Sequence, residues 1–311
     1  MTQNVLILGP TGRFGRNAAL AFENAGWNVR RFDRASDTLE SAARGMEVIV
    51  QAWNPPYHKW AAQVIAMQPA VHRVALANNA TVIIPGNVYM FGKQTPAPWS
   101  HTSQHAARNT LGKIRIAMEQ SYKDAGVRTI VLRAGDYLDT EVSGNWFDKI
   151  MAPGLRKGVL TYPGTPDIDH AWGFLPDVAR AAVALAEMHK SLDRFTDVCY
   201  KGYTLSGEQL ATTIATARGH DVRLKLMQRW PLQLLRPFMP DMKHIIEMEY
   251  LWHTPHSLDP TLFNELVPDF PTTPAVDALV QACAFVPMPQ SPMRYAQKLV
   301  TALIRRRFEV A

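Results

Sequence analysis

Gly9, Gly12 and Gly15 are spaced so that a chain turning from a strand into a helix can bring its backbone against a phosphate. The first glycine allows the tight turn, the second lets the backbone approach a pyrophosphate, and the third lets the helix pack close to the sheet. The helix that starts there offers free N–H groups and a partial positive charge to the phosphates. Thr11 and Arg13 lie inside the same turn. Asp33, 18 residues beyond Gly15, is a carboxylate suited to both hydroxyls of a ribose and hostile to a 2′-phosphate. Arg13, Arg31 and Arg34 are close in sequence and could instead pair with that phosphate, although for at least two of the three a solvated surface charge is the simpler reading. NAD or NADP is therefore the expected cofactor, and the acid tilts the balance slightly to NAD.

These residues need particular elements to place them. Asn4–Leu8 (NVLIL) is a short, apolar, β-branched run, as expected of a strand buried on both faces. A helical pattern (RNAALAFENAG) follows the turn, Gly26 stops it, and a second strand over 27–32 ends at Asp33. Strand, glycine turn, helix, strand, acid is the opening unit of a dinucleotide-binding α/β fold. Further strands are predicted over 48–52, 81–84 and 129–132. Between them lie helices over 61–78, broken near Pro69, and 108–125, with Leu111, Ile114, Met118 and Tyr122 as a core stripe. The expected fold is α/β, a Rossmann-type parallel sheet with helices on both faces plus a smaller C-terminal substrate lobe. Only one element fits between Asp33 and Val48, so the sheet should be one strand shorter than the full six on that side.

The alternation fails after Asp136. The expected division is a dinucleotide-binding domain over 1–140, with 175–200 returning to it, and a substrate lobe from 141–174 and 201–285. Residues 175–188 open with Pro176 and Asp177 as a helix start, and Ser206 is a cap for another. Pro287, Pro289 and Pro292 mark a linker within 286–311, followed by a basic amphipathic helix over 293–307. Its simpler reading is docking on its own domain or on a partner subunit, with membrane-surface binding as the lesser alternative.

Composition narrows the classes. The 311 residues are 47% hydrophobic, which argues against intrinsic disorder. The formal charge of +6 raises nucleic acid as a partner, but basic residues are scattered apart from Arg305, Arg306 and Arg307, and aromatics are not interleaved with them. A basic surface suited to anionic small molecules is the simpler reading. No apolar run reads as a membrane span or a signal peptide. Two cysteines, Cys199 and Cys283, make neither a disulfide framework nor a metal site, which points to a reducing cytoplasm. The expected partner is a small-molecule substrate, with no nucleic acid, no membrane and a homodimer left open.

At GPTGRFG (9–15), Asp33, NVYMFG (87–92), LRAGDY (132–137) and LPDVARA (175–181), the chain resembles the short-chain dehydrogenase/reductase superfamily. The likeness is to its extended and atypical branch, with the NAD-dependent epimerase/dehydratases and the related NmrA-like proteins. It runs over most of residues 4–220 and fades beyond. It implies that Asn54, Pro55 and their neighbours form the adenine- and ribose-side loop, and that Phe14 lies beneath the pyrophosphate.

The resemblance also implies a Tyr-x-x-x-Lys pair on the helix after the family's fifth strand, with a Ser or Thr near that strand's end. The tyrosine transfers a proton while the lysine lowers its pKa and holds the nicotinamide ribose. Lys113 suits the lysine, but Asn109 occupies the tyrosine position, and the strand end (IPGN, 84–87) has no Ser or Thr. The literal Tyr89-x-x-x-Lys93 is read as a coincidence, since Gly92 and a proline-containing loop follow it. Tyr89 and Tyr137, with Lys113, are the catalytic candidates. His101, His105, Asp136 and His170 are further pocket candidates, each with a bland structural alternative. Two readings follow: an NAD(P)-dependent enzyme acting on a small carbonyl or hydroxyl compound, such as a sugar derivative, or a non-catalytic NAD(P)-binding sensor of the NmrA-like type.

Overall fold

A computed structural model describes residues 3–228, 230 and 239–289. Strands β1 (Asn4–Leu8), β2 (Asn28–Arg31), β3 (Val48–Gln51), β4 (Thr81–Gly86), β5 (Thr129–Arg133) and, later in the chain, β9 (Phe195–Cys199) form one sheet in the order β2-β1-β3-β4-β5-β9. All its pairings are parallel. Successive side chains of a strand face opposite ways, so each inner strand feeds two cores. Leu6, Leu8, Ile49, Val82 and Ile84 pack under the helices α2 (Leu39–Ala43), α3 (Trp60–Ala77) and α4 (Thr110–Asp124). Val5, Ile7, Val50, Ile83 and Leu132 pack under α1 (Arg13–Asn24) and α5 (Leu175–Glu187).

Between β2 and β3 the only element is the five-residue α2, so β2 is the sheet edge. The sixth strand stands at the other edge. It is β9, which the pattern reading did not assign because Asp197 interrupts its apolar run. That acid is matched inside the fold: Asp197 takes a bond of 2.5 Å from Arg133, which Glu119 also holds at 2.7 Å. The expected break at Pro69 does not occur, and α3 runs unbroken through it. Proline deprives only the Ile65 carbonyl of its partner, and Ile65 is 40% exposed, where water can reach.

The smaller lobe contains the sheets β10-β8-β6 and β11-β7. Here β6 is Asp136–Leu138, β7 Val159–Tyr162, β8 Ala171–Phe174, β10 Tyr203–Thr204 and β11 Arg223–Leu226. Helix α6 (Gly207–Arg218) begins on a reciprocal cap, Ser206 with Gln209. Trp172, Trp252, Tyr162, Phe147 and Leu210 fill the lobe's core. The helix expected over 293–307, with Arg305, Arg306 and Arg307, lies outside the described residues, as does Pro292. Among the described residues, no helix is long and apolar enough to cross a membrane.

Candidate dinucleotide site

The glycines are where the sheet meets its first helix. Gly9 has φ +79°, and a Cβ there would stand 2.9 Å from Trp53 Cα. A Cβ on Gly15 would fall 2.1 Å from the Gly9 carbonyl oxygen, so α1 can start against the turn only without a side chain at that position. Gly12 N donates to Gly9 O at 3.1 Å, and no side chain caps α1 and no acid occupies its first turn. Its amide groups therefore remain available to an anion.

This turn opens on a cavity of about 1030 Å³ lined by Gly9, Thr11, Gly12, Arg13 and Phe14, among others. Asn54 also lines it. Gly15 and Pro55 are not among the lining residues. Gly15 acts through packing, and the Pro55 carbonyl accepts the indole N–H of Trp60 at 2.9 Å, shaping the wall from behind. A Cβ at Gly12 would lie 3.3 Å from Gly9 O and occupy the space beside the turn, so the cradle suits a diphosphate.

Asp33 and Arg34 line one end. Asp33 accepts from the Ala35 amide at 2.9 Å and the Ser36 hydroxyl at 3.1 Å, which orients its carboxylate. Arg31 is paired with Glu23 and Arg30 with Asp37, while the Arg34 guanidinium lies 3.8 Å over the Trp53 ring.

At the inner end, the hydroxyls of Tyr57 and Tyr89 stand 2.7 Å apart. Burial raises the pKa of both, Tyr89 well above the ordinary tyrosine value, so each stays a proton-bearing donor. Tyr137, pushed up to about 12 by burial, also lines the cavity. Asp136 lines it too and accepts from His170 Nε2 at 2.8 Å. His170 is buried behind it, its ring stacked 4.2 Å from Trp252. His256 packs against His170 and is held down to about 3 by burial and by that neighbour, so it is neutral.

The helix residues fall differently from the expectation. Lys113 is exposed and not among the cavity's lining residues; Arg115, two positions on, lines it. Two residues are about 200° of helical rotation, so these side chains leave opposite faces. Arg115 donates to the Pro85 carbonyl at 3.0 Å and stands 3.6 Å from Glu119. Four residues before Arg115 is Leu111, fully buried, and Asn109 caps α4, accepting from the Gly112 amide at 2.6 Å. The Arg115 and Glu119 spacing of four was the signal for this face. Lys93 is exposed and does not line the cavity, in keeping with the reading of Tyr89-x-x-x-Lys93 as a coincidence. His101 is exposed, and His105 lies 4.0 Å from Asp197, away from the cavity wall. Trp53, Trp60, Trp146 and Lys149 join the lining and were legible only in three dimensions.

The sequence matches no family model and no curated protein sequence. Solved structures do match. A nucleoside-diphosphate-sugar epimerase from Pseudomonas aeruginosa superposes with a TM-score of 0.69 at 16% identity, over 92% of this chain and 97% of that one. UDP-glucose 4-epimerase from Brucella ovis, solved with NAD, gives 0.66 at 16% identity over 91% and 98%. UDP-N-acetylglucosamine 4-epimerase from Bacillus cereus gives 0.68 at 14% over 91% and 99%. The fold is that of the nucleotide-sugar epimerases. In this chain the epimerase fold embraces both the six-stranded sheet and the smaller lobe, since the superposition spans nine-tenths of the residues.

Proposed function

We propose that this protein is an NAD-dependent oxidoreductase of the epimerase fold acting on a small carbonyl or hydroxyl compound, sugar derivatives included. The observation that carries the reading is the open glycine cradle at the uncapped start of α1, facing a cavity with Asp33 at one end and titratable groups at the other. The amides of the turn hold the diphosphate and Asp33 the adenosine ribose. NAD is favoured over NADP because Arg30 and Arg31 are spent on Asp37 and Glu23, and Arg34 on the face of Trp53.

Bound in this cradle, the nicotinamide supplies the hydride donor or acceptor. Arg115 stands where Lys113 was expected and anchors the inner half of the cofactor by charge. Tyr89, partnered by Tyr57, donates a hydrogen bond to the substrate oxygen. Asp136, backed by His170, takes or returns the proton of the substrate hydroxyl. The absent helix tyrosine is thus replaced from the loop after β4 and the start of β6.

Leu111 in the position four before Arg115 favours the second reading, a nucleotide sensor without turnover. Fluorescence titrations with NADH and NADPH, followed by incubation with nucleotide sugars and small ketones, separate the two. Binding of NADH with conversion supports the enzyme; tight binding with no conversion across the panel supports the sensor; binding of neither cofactor ends both.

A further inference from the structure

The loop that follows β6 returns over the start of α1 and is fastened there. Arg16 pairs with Asp139 at 3.0 Å and Glu141 at 3.1 Å, and the Asn17 amide also donates to Asp139, which is buried. Further along, Asp148 Oδ2 accepts the Ser143 and Gly144 amides at 2.6 and 2.9 Å, pinning the loop's tip. Each acid of this strap therefore has at least one partner. Among the described residues its cation has none: Lys149 lines the cavity without an ion pair, and so does Arg13 on the facing turn.

These two cations converge. A Cβ at Gly144 would stand 3.4 Å from Lys149 Nζ and 3.8 Å from Arg13 Nη2, so the nitrogens are at most about 7 Å apart. Lys149 is exposed and Arg13 half-buried, and like charges that close on one cavity wall favour an anion between them. Arg13 lines the same cavity as Tyr57, Tyr89 and Tyr137, and its charge works against burial on all three hydroxyls. We infer that Arg13 and Lys149 form an anion site beside the reacting end of the cavity, and that the substrate carries a carboxylate or phosphate close to the carbon that exchanges hydride. This rests on the reading of the cavity as a dinucleotide site and names the substrate class within it. The same chemistry would also suit the cofactor's own diphosphate, so the test separates the two sources.

The full-length protein is first titrated with NADH, then, saturated with NADH, with inorganic phosphate and with oxalate at constant ionic strength, followed by calorimetry. Saturable anion binding is expected, weakened tenfold or more by Lys149→Gln and by Arg13→Gln, with NADH affinity changed less than threefold. Lys93→Gln, which removes an exposed cation off the cavity wall, should change nothing. Absence of anion binding to the loaded protein, or its survival in both variants, overturns the inference. So does a tenfold loss of NADH affinity in both variants without an anion effect, which returns the pair to the cofactor diphosphate. Failure of the wild-type chain to bind NADH or NADPH is a different result and overturns the dinucleotide reading itself.

Discussion

Asp136 faces the cavity while its Oδ2 accepts from Nε2 of His170, 2.8 Å behind it and only 1% exposed. A carboxylate so held cannot rotate away from the cavity, and its partner is locked by stacking on Trp252. Asp136→Asn should lower turnover by about 10²–10⁴-fold, the span of a lost general acid or base. His170→Phe keeps the ring stack but removes the N–H, and should lower turnover while leaving NADH affinity in place. Steady-state kinetics beside fluorescence titration check both; full activity in Asp136→Asn would remove it from the chemistry.

The two neighbours on α4 make opposite forecasts. Lys113→Ala should bind NADH like the parent, since Lys113 is exposed and off the cavity wall. Arg115→Ala should weaken NADH by about 10–100-fold, the worth of a charged hydrogen bond or two. Calorimetric titration of both proteins decides between the faces of this helix.

Gly15→Ala forces a methyl to within 2.1 Å of the Gly9 carbonyl, with backbone on both sides and no side chain to move aside. The fold should lose about 1–3 kcal/mol or more, read as a fall in Tm. Gly12→Val meets the same carbonyl at 3.3 Å and fills the cradle. It should keep most of its stability and lose NADH binding.

Asp33→Ala removes the acceptor offered to the adenosine ribose. Loss of charge-assisted hydrogen bonds of about 1.5–3 kcal/mol should weaken NADH by about tenfold or more and leave NADPH little changed. Parallel titrations with the two cofactors report the ratio; an unchanged ratio would remove Asp33 from cofactor choice.

Stability should depend on acid through Glu119. Burial alone would raise its pKa, but Arg133 and Arg115 overcome that and hold it below the ordinary 4.5. The unfolded chain therefore binds the proton more readily, so this stabilisation is complete above pH 4.5 and fades as pH drops through the lower folded value. Glu119→Gln should cost about 3–5 kcal/mol at neutral pH, because Arg133 is fully buried and keeps Asp197 as its one carboxylate partner among the described residues. Urea titrations of both proteins at neutral and acid pH measure the cost and its decline with acid.

What the sequence determined by itself was local. Strand β1, the glycine turn, α1 and Asp33 are consecutive, and their periodicities and glycine spacing carry enough steric information to place a nucleotide cradle without knowing the rest. The Ser206 cap was legible for the same reason, as its partner Gln209 is three residues away. The inner end was not. Tyr57 meets Tyr89, Asp136 meets His170, and Arg13 comes within about 7 Å of Lys149 from separate parts of the chain, and such approaches depend on packing that no window of sequence contains. The choice between Lys113 and Arg115 also belonged to the tertiary structure, because a helix states which residues share a face and only its neighbours decide which face looks inward. The strand around Asp197 was hidden likewise: its acid is tolerable in a sheet only because Arg133, 64 positions earlier, is buried beside it.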